Sequence, residues 1–107
     1  MTDFNFRYDK EYDILYILKK GEIVKHSIDW ECSFIVDFNS KDKVVGMEIL
    51  DVSKNIFGLN KKIIMNLENC DIKTQQKGDM LLVLITLKSK NMEPIRTSLP
   101  IPIKISC

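Results

Sequence analysis

The order of apolar and polar positions predicts two β-strands at the start of the chain. Residues 4–8 alternate apolar and polar side chains, which is typical of a half-buried strand because successive side chains point to opposite faces. Residues 14–18 form a continuous β-branched and aromatic run, and the lysines and glycine at 19–21 indicate a turn after it. We expect these two strands to pair as a hairpin. Residues 22–32 fit either a strand or a connection.

A second hairpin is predicted by two apolar runs, residues 34–38 and 44–50, which flank the polar residues 39–43. We place Phe38 opposite Val45, because this register separates an apolar face from a mixed one. The apolar face then holds Phe34, Val36, Phe38, Val45, Met47 and Ile49. The mixed face holds Ile35, Asp37, Gly46 and Glu48.

After residue 51 the spacing of the apolar residues changes to that of a helix. The residues that recur at this spacing are Ile56, Leu59, Ile63, Ile64 and Leu67. Asn60 is a suitable N-cap and Asn69 a suitable stop. We therefore expect one main helix that lays Ile63, Ile64 and Leu67 on a sheet face.

The last part of the chain predicts another hairpin and a final edge strand. Residues 72–76 and 80–87 flank a turn at 77–79, and the later strand is apolar on both faces, as a central strand is. Residues 100–105 alternate proline and isoleucine. Proline cannot donate a hydrogen bond to a β-ladder, so this tail is predicted to be an edge strand or an extended arm.

Together these elements predict an α+β fold, a mostly antiparallel sheet of about six or seven strands with one helix packed on one face. A chain of 107 residues is the size of one domain. We expect a single domain over residues 1–107, in which residues 1–52 form the hairpins and residues 53–107 supply the helix and the completing strands. The apolar share of 45% and the charged share of 29% are ordinary for a globular protein and exclude a disordered tail.

The charge balance and the cysteines narrow the class of protein further. Lysine and arginine number 16 and aspartate and glutamate 15, so nucleic acid and anionic lipid are not expected partners. The polar, acidic N-terminus and the shortness of the apolar runs predict a cytoplasmic protein without a membrane span. Cys32, Cys70 and Cys107 are widely spaced, which is typical of reduced thiols rather than of a disulfide framework or a zinc site. We expect no cofactor.

Three motifs follow one another in the first half of the chain. They are Tyr8-Asp9-x-x-x-Asp13-x-Leu15-Tyr16-Ile17, Ile35-Val36-Asp37-Phe38 and Val45-Gly46-Met47-Glu48-Ile49-Leu50. In this order they resemble domain-of-unknown-function family 2283, over about residues 4–52. The resemblance implies a small α+β fold of prokaryotic origin, and it carries no established activity and no catalytic residues. The loop at 39–43 departs from the acidic residue and glycine that are usual there, which leaves its turn type open.

Five acidic residues form the candidate site: Asp9, Asp13, Asp37, Glu48 and Asp51. In the register above, Glu48 lies diagonal to Asp37 on the mixed face, with backbones about 7 to 8 Å apart. Carboxylates at this spacing can share a hard cation or a proton, although no particular metal is indicated. The alternative is structural, because such carboxylates also form turns, accept backbone hydrogen bonds or pair with Arg7 and nearby lysines.

The candidate interface consists of four apolar residues: Ile101, Ile103, Ile105 and Trp30. Isoleucines are costly to leave in water, and a strand with prolines pairs selectively. The tail can fold back on its own sheet, add a strand to another chain or close a two-fold dimer.

The sequence therefore favours a non-enzymatic module that binds another protein or forms a homodimer. A small metal-dependent or carboxylate-based enzyme, centred on Asp37 and Glu48, is the first alternative. An antitoxin-like protein that masks a different protein is the second. The pattern of residues leaves open whether the chain has any catalytic activity.

Overall fold

The computed structural model describes residues 3–102 of the chain. Within them lie eight strands and two short helices. In chain order these are β1 (Phe4–Asp9), β2 (Ile14–Lys19), β3 (His26–Trp30), β4 (Phe34–Phe38), β5 (Val44–Ile49), α1 (Val52–Asn55), α2 (Lys61–Met65), β6 (Leu67–Lys77), β7 (Met80–Ser89) and β8 (Ile95–Pro102).

The strands form two antiparallel sheets, so the prediction of one sheet of six or seven strands under one helix is wrong. The first sheet has five strands in the order β1-β2-β5-β4-β3, and the second has three in the order β6-β7-β8. The alternation of side chains reports which face of a strand is buried, but it does not report which strands share a sheet. The chain leaves the first sheet through α1 and α2 and then builds the second.

Both predicted hairpins of the first sheet are confirmed. β1 pairs with β2, and β4 pairs with β5 in the predicted register, with Val36 opposite Met47 and Asp37 opposite Gly46. The register shifts at the loop end, where Phe38 pairs with Val44 instead of Val45. This shift is a β-bulge, in which one residue of a strand has no residue opposite it. The ambiguous segment before β4 supplies the edge strand β3.

The predicted helix starts as expected and ends earlier than expected. The Asn60 side chain accepts a hydrogen bond from the Ile63 N–H at 2.8 Å, which confirms the N-cap. The helix ends at Met65 rather than near Asn69, because the chain from Leu67 onward pairs with β7. Tertiary pairing here outweighs the helical spacing of the apolar residues.

The second sheet confirms the predicted hairpin of residues 72–76 and 80–87 and, as far as residue 102, the predicted edge strand. β7 is its central strand, and β8 pairs only with β7 and is therefore an edge strand. Pro100 and Pro102 are exposed in β8, whereas Leu99 and Ile101 alternate with them and are buried. No helix of residues 3–102 is long and apolar enough to cross a membrane.

The core lies between the two sheets. One cluster of buried side chains draws on the inner faces of both sheets and on α1 and α2. Each large aliphatic side chain in it contributes about 1.5–3 kcal/mol by leaving water. Its fully buried members include Leu15, Ile17, Met47, Ile49, Val83, Ile85 and Leu87. The outer face of the five-stranded sheet remains open to solvent, and it carries the mixed set of residues that includes Asp37 and Glu48.

Candidate functional site

The structure separates the five predicted acids into two groups. Asp37 and Glu48 share the outer face of the five-stranded sheet, in the diagonal arrangement that the register predicted. Asp9, Asp13 and Asp51 lie instead around the β1–β2 turn and the start of α1. Within residues 3–102, no three histidine, cysteine, aspartate or glutamate side chains are grouped closely enough to hold a metal ion.

Asp37 is a buried carboxylate in which one of the two oxygens accepts a hydrogen bond. It is 8% exposed, and its Oδ1 accepts a hydrogen bond of 2.6 Å from the hydroxyl of Ser27 on the neighbouring edge strand. Its Oδ2 has no hydrogen-bond partner among residues 3–102. Every fully buried side-chain nitrogen and oxygen in this part of the chain does have a partner. The Oδ2 of Asp37 therefore reaches the surface.

Gly46 makes the space that this carboxylate occupies. A Cβ atom at position 46 would lie 3.1 Å from the Oδ2 of Asp37 and 2.7 Å from the backbone oxygen of Ile17. The second distance is shorter than any normal contact of a side-chain carbon, so a larger residue would push β5 away from β2. The close approach of other groups is one physical reason for a glycine inside a strand, and it is observed at Gly46.

Glu48 lies half-buried beside Asp37. Its burial, followed by the negative charge of Asp37, raises the pKa of its carboxyl above the usual range. The ion pairs of residues 3–102 join His26 to Asp42 and Lys88 to Glu68, so neither Asp37 nor Glu48 has a basic partner in contact. The two carboxylates thus form a pair without a basic group in contact.

The carboxylate pair opens into a shallow depression of about 280 Å³ on the outer face of the sheet. Tyr16, Leu18 and Val24 supply much of its lining, with Arg7 at one side. The Arg7 guanidinium stacks on the Tyr16 ring, 4.2 Å from its centre. The site therefore combines two acceptors with apolar and aromatic walls.

Asp13 is also buried, but its hydrogen bonds are complete. The hydroxyl of Tyr8 donates to its Oδ1 at 2.6 Å, and the hydroxyl of Ser53 donates to its Oδ2 at 2.5 Å. The Ser53 N–H adds a bond of 3.3 Å to the Oδ2. Because Ser53 lies in the first turn of α1, Asp13 fastens the β1–β2 turn to that helix. This role is structural.

The hydrogen bonds of Asp13 also decide its charge state. Burial alone would raise the pKa of this carboxyl, but the bonds from Ser53 and Tyr8, with the nearby charge of Lys61, lower it below its usual range. Burial and the bond to Asp13 raise the pKa of Tyr8. Asp13 therefore stays ionised and Tyr8 stays protonated.

The two remaining acids have local backbone roles. The Oδ1 of Asp9 accepts hydrogen bonds from the Glu11 and Tyr12 N–H groups at 3.0 and 3.1 Å, which is an Asx turn. Asp51 adopts a left-handed conformation with φ of 46° just before α1, and its side chain makes no capping bond. The contacts of Asp9 and Asp13 explain the first resemblance motif as a set of residues that builds the β1–β2 turn.

The structure describes two of the four predicted interface residues, Ile101 and Trp30. Ile101 is 3% exposed and packs in the core of this chain, so its apolar character is explained without a partner. Trp30 is half-buried at the end of β3, with its ring 5.9 Å from that of Phe34. Ile103 and Ile105 lie outside the described residues. The interface role of this set stays a prediction.

Sequence reasoning missed a second cavity, a cleft of about 710 Å³ between the ends of the two sheets. His26, Ile28 and Phe38 line it from the first sheet, and Leu81 and Ile101 from the second. His26 stacks on Phe38 with ring centres 5.0 Å apart. No pattern along the chain predicts this cleft, because it depends on how the two sheets pack. The sequence offers one local signal: His26 and Ile28 are two residues apart and therefore lie on the same face of a strand.

The fold is that of a small protein with two packed antiparallel sheets. The candidate site is a pair of carboxylates, with no basic group in contact, on the outer face of the five-stranded sheet. The chain belongs to the family described as "Protein of unknown function (DUF2283)", whose model matches residues 5–53. This match confirms the resemblance inferred from the three motifs.

The similarity to known proteins extends beyond the family segment. An uncharacterized protein of Methanocaldococcus jannaschii is 37% identical over 84 residues, which cover 78% of this chain and 67% of that protein. This match is longer than residues 1–53, so it reaches into the helices and the second sheet. No solved structure is significantly similar to the chain.

Proposed function

We propose that the chain is a non-enzymatic module that binds protein through the open edge of β3, and that its partner there is a second copy of the chain. The observation that carries this proposal is the exposure of β3, an edge strand without the usual protection against pairing. Natural proteins protect sheet edges with proline, lysine, bulges or a covering segment, because an open row of backbone groups pairs with other chains.

The edge strands β8 and β3 differ in how they are protected. β8 carries Pro100 and Pro102, which cannot donate to a further strand. β3 has the sequence HSIDW, without proline or lysine, and it pairs only with β4. Four of its five residues are exposed, including Ile28 at 43%. The nearby Ile23 is 82% exposed, which extends the apolar character of this edge.

A two-fold axis through Ile28 gives a chemically consistent pairing of two β3 strands. Antiparallel pairing about this axis places Asp29 opposite Ser27 of the second copy and Trp30 opposite His26. Like charges then do not face each other, the two Ile28 side chains meet, and aromatic rings lie at both ends. The predicted interface role of Trp30 is part of this arrangement.

The test is the oligomeric state measured by sedimentation velocity over a range of concentrations. We expect a dimer for the unchanged chain and a monomer for Ile28→Lys, because two lysines would meet at the axis. The matched control is Leu84→Lys, since Leu84 has a similar exposure of 36% on the outer face of β7. The proposal fails if the unchanged chain is a monomer at every concentration or if both variants dissociate equally.

A further inference from the structure

We propose that the depression beside Asp37 and Glu48 is a binding site for one primary ammonium group on an alkyl chain. This site lies on the outer face of the sheet and goes beyond the pairing proposed for the edge of β3. The same chemistry occurs in small alkylamines and in the side chain of a lysine on a partner protein.

Asp37 has an acceptor that no group of residues 3–102 uses. The hydroxyl of Ser27 fixes the side chain through Oδ1, so Oδ2 keeps one orientation over Gly46. This oxygen has no protein partner, on a side chain that is only 8% exposed, so it can accept hydrogen bonds from a charged donor. An ammonium group supplies three such donors.

The position of Glu48 also favours a cation at this site. It is the diagonal neighbour of Asp37 on the same face, and the two carboxylates repel each other because no basic side chain separates them. A cation between them removes this repulsion. The direction of the pKa shift of Glu48, which burial and the charge of Asp37 raise, is consistent with such a site before its cation binds.

The walls of the depression favour an organic cation over a metal ion. Ca²⁺ and Mg²⁺ take six or more oxygen ligands. This depression offers two carboxylates beside Tyr16, Leu18 and Val24. Such walls suit the methylene groups of an alkyl chain. The volume of about 280 Å³ fits a small group rather than a large ligand.

Arg7 limits the charge of the ligand. Its guanidinium stacks on Tyr16 at one side of the depression and pairs with neither acid. A ligand with a second positive charge near Arg7 would be repelled. We therefore expect a single ammonium group to bind better than a polyamine.

The test is an amide ¹H–¹⁵N NMR titration of the full chain with n-butylammonium chloride, with sodium chloride at equal ionic strength as the reference. We expect saturable shifts at Asp37, Gly46 and Glu48. Asp37→Asn keeps the shape of the side chain and removes its charge, so we expect a loss of affinity of about tenfold or more. Asp79→Asn is the matched control, because Asp79 is an exposed acid in the turn between β6 and β7 and belongs to neither proposed site. We expect it to change the affinity by less than about twofold.

Several results overturn the proposal. Shifts that rise linearly and match those with sodium chloride mean that the salt only screens charge. An equal loss in Asp37→Asn and Asp79→Asn means that the attraction is not local. If Asp37→Asn does not fold, Glu48→Gln takes its place, since Glu48 is half-buried and makes no ion pair. Unchanged affinity in Glu48→Gln also contradicts the site.

The source of the ammonium group is decided with a second probe, N-acetyl-lysine-methylamide. Tighter binding of this compound than of butylammonium indicates a lysine on a partner protein. Binding of butylammonium alone indicates a small amine. Either result supports the ammonium site, and neither depends on the oligomeric state, so this proposal and the β3 pairing stand or fail separately.

Discussion

Asp13 and Asp37 are two buried acids in one sheet, and they differ in how many of their acceptors are used. Asp13 is 6% exposed and Asp37 8%, so burial does not distinguish them. Both oxygens of Asp13 accept hydrogen bonds, from Tyr8 and Ser53, whereas Asp37 receives one bond from Ser27. The unused acceptor, rather than burial, distinguishes the carboxylate that we propose binds a ligand from the structural one.

The largest expected difference between the two acids is in stability. Asp13→Ala leaves the hydroxyls of Tyr8 and Ser53 without their acceptor and places alanine at φ of 56°, so we expect a loss of about 3 to 4 kcal/mol. Asp37→Ala removes one bond from an exposed serine, and we expect a loss of about 1 kcal/mol. Urea unfolding at pH 7 measures both. Equal losses would contradict the division into a structural and a binding carboxylate.

The second expected difference is in the dependence of stability on pH. The folded-state pKa of Asp13 lies below its ordinary value of 3.8, so its contribution is present above that pH and is lost as the pH falls through the folded pKa. The contribution of Glu48 to stability changes with pH in the opposite direction. Its folded-state pKa is raised above 4.5, so its contribution is present below pH 4.5 and is lost as the pH rises through the folded pKa.

Thermal unfolding from pH 2 to 7 tests these signs with two conservative variants. Asp13→Asn should remove part of the destabilisation seen below pH 4, because no carboxylate at position 13 remains to be protonated. Glu48→Gln should leave that acid limb intact and raise stability at pH 7 by less than about 1 kcal/mol. A steeper acid limb in Asp13→Asn would show that the sign assigned to Asp13 is wrong.

The sequence predicted local pairing well, and the reason is physical. A strand repeats every two residues, so the alternation around Asp37 fixes which residues face each other, and the Asp37–Gly46 pair and the diagonal Glu48 are confirmed. The fit of Asn60 as an N-cap was equally local. Each of these features is set by residues that are close in sequence or that belong to a single hairpin.

The parts that could not be predicted depend on distant contacts. The helix ends at Met65 because β6 pairs with β7, and the apolar spacing up to Leu67 does not contain that information. The structural role of Asp13 could not be predicted, because its partner Ser53 lies 40 residues further along the chain. The free oxygen of Asp37 was also unpredictable, since it depends on the rotamer fixed by Ser27.

The smallest expected difference concerns the two serines that donate to these acids. Ser53→Ala removes a hydroxyl from a buried, ionised carboxylate whose other partners are fixed, and we expect a loss of about 1.5 kcal/mol. Ser27 lies exposed on the edge strand, so water can replace its hydroxyl, and Ser27→Ala should cost about 0.5 kcal/mol. Ser27→Ala should nevertheless weaken the binding of butylammonium, because Asp37 then loses its fixed orientation. Urea unfolding and the same NMR titration separate these effects. If Ser27→Ala changes stability as much as Ser53→Ala and leaves the affinity unchanged, then Ser27 has a structural role and does not orient Asp37 for binding.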